Sequence, residues 1–171
     1  MSMEDQINLI YKHFLNSEGI STDSRKIKKN SIFFSLKGEN FDGNKFANEA
    51  LDKGALYSVV DDKDVFNASK NLILVDNCLD ALHNLAKLHR SKFDIPVVGI
   101  TGSNGKTTTK NLLYHVLSSK FKVYATKGNL NNHIGVPLSI LELDDSYEIA
   151  IIEMGASEVG EIQQLSSICN P

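Results

Sequence analysis

Residues 97–110 read VVGITGSNGKTTTK, and this stretch decides the fold of the second half of the chain. A short apolar run rich in β-branched residues predicts a strand, and the residues from Lys106 onward have a helical pattern. Gly102 and Gly105 allow the backbone to turn tightly and to approach an anion closely. The first amide groups and the dipole of the following helix favour negative charge at that point. The stretch therefore predicts a strand, a phosphate-binding loop and a helix.

Two side chains of this loop are candidates for phosphate chemistry. Lys106 supplies a point charge for the outer phosphates of a nucleotide, and the Thr107 hydroxyl is placed to hold a magnesium ion. The standard phosphate loop has about four residues between its glycines, whereas Gly102 and Gly105 enclose two and Gly99 and Gly105 enclose five. The alternative is an ordinary strand–turn–helix corner with a solvated lysine. The strand before the loop and the helix after it favour phosphate binding.

Composition limits the class of protein. The chain has 171 residues, of which 42% are hydrophobic and 23% charged, as is usual for one or two small globular domains. The net charge of −3 gives no basic field for a nucleic-acid partner. No apolar run or signal pattern predicts membrane insertion. Cys78 and Cys169 lie far apart and predict free thiols, so we expect a cytoplasmic protein.

The order of predicted elements indicates an α/β fold. Strands and helices alternate through residues 4–75, and a long helix follows over residues 77–92. Asp94, Ile95 and Pro96 interrupt the pattern, so we place a domain boundary there. Beyond it, strand, helix, strand and strand predict a parallel sheet with crossover helices. We therefore predict a small α/β domain at residues 1–93 and, at residues 94–171, the first part of a P-loop-type parallel-sheet domain of a longer enzyme.

The helix after the phosphate loop and the segment at residues 38–43 have specific predicted structures. We expect Leu112, Leu113, Val116 and Leu117 to face inward from the helix after the phosphate loop. Residues 38–43, which contain two glycines, are predicted to form a loop.

Glu153 and an asparagine cluster are further candidates for the site. Glu153 ends an apolar strand, at the sheet edge where α/β proteins bind ligands, and phosphate-loop enzymes hold magnesium with such a carboxylate. The alternative is a strand end at the surface. Asn129, Asn131 and Asn132 lie between glycines; amides suit a peptide or sugar substrate, and a purely structural loop is equally compatible.

Four stretches together resemble the Mur ligases of bacterial cell-wall synthesis, and they span nearly the whole chain in the family's order. They are TDSR at 22–25 with SIFF at 31–34 and DG at 42–43, ITGSNGKTT at 100–108, GNLNNHIGVP at 128–137, and EMGAS at 153–157 with GEI at 160–162. The glycine spacing of the second stretch is similar to the family's own. The third and fourth stretches resemble the member that adds D-alanyl-D-alanine. Asn44 departs from many relatives, which have histidine after Asp-Gly.

The resemblance implies roles for particular residues. A uridine nucleotide would lie at one group of residues, namely Ser24, Arg25, Glu39, Asn40 and Phe41. The ATP phosphates would lie at another, namely Gly102, Ser103, Asn104, Gly105, Lys106, Thr107 and Thr108. Thr107 and Glu153 would hold Mg²⁺, and Asn131 and Asn132 would face the muramoyl-peptide. Lys106 and Glu153 are the implied catalytic residues.

The implied reaction is an ATP-dependent amide ligation. A carboxylate of UDP-N-acetylmuramoyl-tripeptide would form an acyl phosphate with ATP, and D-alanyl-D-alanine would then displace the phosphate, in peptidoglycan precursor synthesis. The resemblance implies a UDP-substrate domain at 1–93, an incomplete central ATP-binding domain at 94–171 and a C-terminal domain beyond Pro171. We therefore expect a monomeric full-length ligase, and a chain of 171 residues that binds without catalysing.

Three alternatives stay open. The chain could belong to another Mur ligase that acts on a different amino acid, or be a non-catalytic module that binds a UDP-sugar or nucleotide. A GTPase-like switch would need a guanine-reading Asn-Lys-x-Asp motif, which these 171 residues lack. Intact Lys106, Thr107 and Glu153 favour an enzyme over a degenerate binding module.

Overall fold

The computed structural model describes residues 2–68 and 70–171. The described residues pack as two compact units, one up to Leu85 and the other from Ala86 to Pro171. The division falls inside a helix that spans Cys78–Arg90, so this helix contributes residues to both units. The domain boundary predicted between residues 93 and 94 stays a prediction. Within the described ranges, no helix is long and apolar enough to cross a membrane.

The first unit begins with helix α1, Met3–Phe14. Ser2 caps this helix, because its hydroxyl accepts the Asp5 amide while the Asp5 carboxylate accepts the Ser2 amide. These reciprocal bonds satisfy amide groups that have no partner inside the helix. The buried stripe of α1 consists of Ile7, Ile10 and Phe14, as its periodicity predicts.

The remaining elements of the first unit include the predicted strands and helices, with one additional hairpin. They are β1 (Ile20–Ser21), β2 (Ile32–Phe34), β3 (Lys37–Gly38), β4 (Phe41–Asp42), a 3-10 helix (Gly43–Phe46), α2 (Ala47–Asp52), β5 (Tyr57–Val60), β6 (Leu72–Leu74) and the first part of α3 (Cys78–Arg90). Strands β1, β2, β5 and β6 form a parallel sheet in that order. One core cluster joins Phe33 of β2 to Ala50 of α2, and Phe46 packs against it.

The prediction of a plain loop over residues 38–43 is wrong. Strands β3 and β4 form a short antiparallel hairpin in which Lys37 pairs with Asp42 and Gly38 pairs with Phe41. Buried Asn44 anchors the base of this hairpin, because its Nδ2 donates to Asp42 at 2.9 Å and to Asp61 at 2.8 Å. The residue that departs from the family pattern therefore has a structural role here.

The second unit contains the predicted parallel sheet. After the end of α3 its elements are β7 (Val97–Ile100), α4 (Lys106–Leu117), β8 (Val123–Ala125), α5 (Gly135–Ile140), β9 (Ile149–Glu153) and α6 (Glu161–Cys169). The strand order is β7-β9-β8, and both pairings are parallel. Ile100, Val123 and Ile151 form a core cluster, with Leu113 and Leu117 of α4 packed against it. The α/β class with parallel sheets is therefore confirmed.

Helix α4 corrects one detail of the sequence prediction. Leu113 and Leu117 face the core, but Leu112 is 63% exposed and Val116 is 68% exposed. Lys110, one turn before Leu113, is buried instead. Lys110, Leu113 and Leu117 recur at spacings of three and four, so they form the stripe that faces the sheet. The buried face of α4 thus includes a charged residue that an apolar pattern does not count.

Candidate active site

The glycine-rich loop has the geometry that its sequence predicts. It joins the end of β7 to the start of α4, which begins at Lys106. Gly102 has a φ of +145° and Gly105 a φ of +78°, both in the region that favours glycine. Ser103 and Asn104 between them are exposed. Because the first amide groups of a helix have no partner inside it, the loop and the start of α4 offer donors to an anion.

Lys106 lies against this loop. Its Nζ donates to the Gly102 carbonyl oxygen at 2.6 Å, so the ammonium group is held beside the turn. Thr107 and Thr108, the next two residues of α4, are exposed. A phosphate in the loop would compete with the Gly102 carbonyl for the ammonium group, which is the role predicted for Lys106.

Glu153 is buried, which contradicts its interpretation as a surface strand end. Strand β9 pairs with β7, and Glu153 lies opposite Ile100, the residue that precedes the loop. Its backbone amide donates to the Thr126 hydroxyl at 2.9 Å. The Thr107 hydroxyl is 3.1 Å from both Glu153 carboxylate oxygens. The structure therefore brings together the two residues predicted to hold magnesium.

Lys110 is a residue of this site that the sequence analysis did not identify. Its Nζ donates to the Thr126 carbonyl oxygen at 2.8 Å and lies 3.5 Å from Glu153 Oε2. Both side chains of this ion pair are almost fully buried, with 5% of Lys110 and 3% of Glu153 exposed. The sequence signal that could have identified Lys110 is its distance of three residues from Thr107, which places both side chains on one face of the helix.

The asparagine cluster divides between two roles. Asn131 Nδ2 donates to Glu153 Oε1 at 3.0 Å, and the Asn131 carbonyl accepts the Gly155 amide at 2.7 Å. Asn132 Oδ1 accepts the backbone amides of Ile134 and Gly135 at the start of α5. Asn131 thus contacts the Glu153 carboxylate, whereas Asn132 stabilises the local backbone. Contact of either side chain with a substrate stays a prediction.

A cleft of about 620 Å³ in the first unit contains three of the five predicted uridine-site residues. Its lining consists of Thr22, Asp23, Ser24, Arg25, Phe41 and Phe46. The rings of Phe41 and Phe46 stack with centroids 5.3 Å apart and planes within 7°. Phe46 was not among the residues that the sequence analysis predicted for this site.

The other two predicted uridine-site residues, Glu39 and Asn40, lie elsewhere. They line a separate depression of about 290 Å³ along the β3–β4 hairpin. Phe41 lines both this depression and the larger cleft. The structure therefore does not bring Glu39 and Asn40 into the cleft that holds Ser24 and Arg25.

Arg25 and Asp23 form an ion pair beside this cleft. Arg25 Nε is 2.8 Å from Asp23 Oδ1, and one terminal guanidinium nitrogen is 2.9 Å from Oδ2. These hydrogen bonds lower the pKa of Asp23 to about 2. The Arg25 side chain is 84% exposed, so its remaining donors face solvent and can reach an anion.

The donor set in the second unit fits a nucleotide-bound magnesium ion better than a metal held by protein alone. In residues 2–68 and 70–171, no group of three or more His, Cys, Asp and Glu side chains could hold a metal. Magnesium is usually bound by one or two protein oxygens, with water and phosphate oxygens as the other ligands. The hydroxyl of Thr107 and the carboxylate of Glu153 match that requirement.

Two family models match consecutive parts of this chain. The model described as "Mur ligase family, catalytic domain" matches residues 16–90, and "Mur ligase middle domain" matches residues 100–171. Together they include the cleft and the phosphate loop. The chain belongs to the Mur ligase family.

Individual Mur ligases support the same assignment. The UDP-N-acetylmuramoyl-tripeptide–D-alanyl-D-alanine ligase of Bacillus subtilis is 46% identical over 155 residues, which cover 90% of this chain and 34% of the relative. A crystal structure of MurF from Acinetobacter baumannii has a TM-score of 0.84 at 36% identity and covers 90% of this chain and 34% of its own. The MurF ligase of Thermotoga maritima in complex with ADP has a TM-score of 0.80 at 39% identity. The match covers 91% of this chain and 36% of that structure's chain. The chain thus spans about a third of the length of these relatives.

Proposed function

We propose that this chain supplies the UDP-substrate domain and the first part of the ATP-binding domain of a D-alanyl-D-alanine-adding Mur ligase. The observation that carries the proposal is the buried Glu153 carboxylate, 3.1 Å from the Thr107 hydroxyl at the glycine-rich loop. The proposal is supported by relatives with that activity in their names, which match about nine tenths of this chain.

The second unit would bind ATP and magnesium. Gly102 to Thr108 would surround the phosphates with backbone amides, and Lys106 would exchange the Gly102 carbonyl for a phosphate oxygen. Thr107 and Glu153 would hold Mg²⁺ together with water and phosphate oxygens. When bound, the ion offsets negative charge on the phosphates during transfer. The Thermotoga maritima relative forms a complex with ADP, which supports the proposal that this chain binds a nucleotide.

The first unit would bind the UDP part of the substrate. The flat Phe41–Phe46 pair suits a nucleobase, because aromatic rings stack on one another at such distances. The exposed guanidinium of Arg25 suits a diphosphate, which it can meet with two parallel hydrogen bonds. Uridine binding by Ser24, Arg25 and Phe41 is part of this proposal, whereas Glu39 and Asn40 line the neighbouring depression.

The proposed reaction proceeds in two steps. The terminal carboxylate of UDP-N-acetylmuramoyl-tripeptide attacks the γ-phosphorus of ATP, so ADP leaves and an acyl phosphate forms. The amine of D-alanyl-D-alanine then attacks the acyl carbon, inorganic phosphate leaves and a new amide bond remains. Lys106 would offset the charge that builds on the transferring phosphoryl group. A monomeric enzyme in the bacterial cytoplasm belongs to the same proposal.

The test uses Lys106→Ala in the full-length protein. ATP-dependent formation of the D-alanyl-D-alanine product should fall by about 10²-fold or more, because a positioned charge is lost from the phosphoryl group. The affinity for UDP-N-acetylmuramoyl-tripeptide, measured by calorimetry, should be retained because the cleft is built from other residues. Exposed Lys120→Ala is the matched control and should leave both unchanged. Turnover by Lys106→Ala at the rate of the unsubstituted enzyme would refute the phosphate-loop assignment.

The same assay separates the open alternatives. Offering single amino acids instead of D-alanyl-D-alanine distinguishes this ligase from other Mur ligases. Binding of UDP-substrate with no ATP consumption by the full-length protein would favour a non-catalytic module.

A further inference from the structure

We propose that Lys110 makes divalent-cation binding at Glu153 depend on nucleotide, so that the cation binds tightly only together with nucleotide phosphates. This inference rests on the proposed ATP-binding function and assigns Lys110 as a positioning residue for that site. The observation is the buried ion pair, with Lys110 Nζ 3.5 Å from Glu153 Oε2 and both side chains almost inaccessible to solvent. A surface lysine would be screened by water, but this one is not.

Charge balance gives the sign of the effect. Glu153 carries one negative charge and Lys110 one positive charge, so the pair is neutral towards an approaching cation. A bare divalent cation at Glu153 would stand close to an ammonium group in a weakly screened environment, where repulsion is strong. Nucleotide phosphates add several negative charges that attract both Lys110 and the cation. The pair therefore disfavours the cation alone more than the cation–nucleotide complex.

The hydrogen bonds around the carboxylate act in the same direction. Glu153 accepts from the Thr107 hydroxyl and from Asn131 Nδ2, so its oxygens are already partly satisfied. A cation on Glu153 would replace some of these bonds, and the Thr107 hydroxyl would have to direct a lone pair to the metal. Lys110 is itself fixed by the Thr126 carbonyl at 2.8 Å, so it cannot move away easily. The ammonium group therefore stays beside the carboxylate when a cation arrives.

The test measures Mn²⁺ binding by electron paramagnetic resonance, without nucleotide and with saturating ADP. Mn²⁺ is the probe because it accepts the same oxygen ligands as Mg²⁺. In Lys110→Met, we expect Mn²⁺ alone to bind on the order of tenfold more tightly, because the adjacent positive charge is gone. With excess ADP, Mn²⁺ binds as the Mn²⁺–ADP complex. The affinity for this complex should change much less, since the lost repulsion of Mn²⁺ and the lost attraction of phosphate oppose each other.

Three matched variants define the cause of any gain. Lys110→Arg keeps the charge and should bind Mn²⁺ alone as weakly as the unsubstituted chain. Lys110→Met combined with Glu153→Gln should lose the gain, because the carboxylate that would hold the ion is absent. Lys120→Met removes an exposed lysine of the same unit and should change nothing. Circular dichroism establishes that each variant is folded.

The outcomes separate this inference from the function on which it rests. If the unsubstituted chain binds neither ADP nor Mn²⁺ with ADP, the proposed nucleotide site itself is wrong. If it binds both, and folded Lys110→Met shows no gain for Mn²⁺ alone, Lys110 is only structural and the inference is overturned. Should Lys110→Met not fold, Mn²⁺ binding by the unsubstituted chain can still overturn the inference. Mn²⁺ binding through Glu153 that is equally tight with and without ADP would overturn the inference.

Discussion

Two ion pairs in this chain have the same chemistry but different surroundings. Arg25 and Asp23 pair at the first unit's cleft with 84% and 36% of their side chains exposed, whereas Lys110 and Glu153 pair inside the second unit with 5% and 3% exposed. Water and salt screen the first pair, so it adds little to stability. The second pair is weakly screened, and removal of one partner would leave a buried charge uncompensated.

The difference separates a group that is available to a ligand from one that holds a site in place. The Arg25 guanidinium has donors in solvent and can exchange part of its bonding to Asp23 for an anion. Lys110 and Glu153 are fixed by Thr126, Thr107 and Asn131, so neither side chain can reorganise without breaking several bonds. The exposed pair should therefore affect ligand affinity, and the buried pair should affect stability and metal binding.

The largest expected effect comes from breaking the buried pair. Glu153→Gln keeps the size of the side chain but leaves the Lys110 ammonium buried without its carboxylate, so the free energy of unfolding of the second unit should fall by about 3 kcal/mol. Urea titration followed by circular dichroism measures this change. Adding Lys110→Met to Glu153→Gln should recover part of the loss, because no buried charge then remains unpaired.

Asp23→Asn is the matched control for this experiment. It makes the corresponding carboxylate-to-amide change in the exposed pair, and the urea midpoint should not shift measurably. Equal shifts for the two substitutions would contradict the distinction between the pairs.

Helix α4 explains why the buried pair could not be predicted from the sequence. Leu112 and Val116 form one apolar stripe and Leu113 and Leu117 another, and apolar periodicity cannot decide which stripe faces the sheet. The structure packs the second stripe against the core cluster, and Lys110, on the same face, contacts Glu153 and Thr126. The spacing of Lys110 from Thr107 indicates a shared helix face, but the burial of this lysine becomes predictable only when its partner on another strand is known. Glu153, in contrast, could be placed from its strand alone, because parallel strands share their ligand-binding edge.

The first unit shows the same limit for short elements. Strands of its sheet could be predicted because Ile32–Phe34 is an apolar run and Tyr57–Val60 is apolar apart from Ser58. Strands β3 and β4 have only two residues each and lack an Asn-Gly or Asp-Gly turn between them, so the hairpin gives no local signal. This hairpin places the Phe41 ring against the Phe46 ring. The contact depends on the fold of the segment and not on a local sequence pattern.

A second prediction concerns ligand affinity at the exposed pair. Arg25→Ala should weaken UDP binding by about tenfold or more, because hydrogen bonds from a charged donor to an anion are lost. The urea midpoint should stay unchanged, since the Arg25 side chain is largely in solvent. Lys26→Ala, a neighbouring exposed lysine, is the control and should bind UDP nearly as well as the unsubstituted chain. Calorimetry with UDP measures both variants, and unaltered affinity in Arg25→Ala would exclude Arg25 from the proposed uridine site.

The smallest expected effect is the protonation of Asp23. Hydrogen bonds from Arg25 lower the pKa of Asp23 to about 2 from an ordinary value of 3.8. A carboxyl whose pKa is lower in the folded state stabilises the fold above its unfolded pKa and loses that contribution as the pH falls through the folded value. The window for Asp23 therefore runs from pH 3.8 down to about pH 2, and the contribution is small because the pair is exposed. Carbon-detected NMR titration should place the midpoint near 2, and Arg25→Ala should return it towards 3.8. If Asp23 titrates at its ordinary value with Arg25 present, the ion pair does not persist in solution, and Arg25 then binds its ligand from an unconstrained side chain.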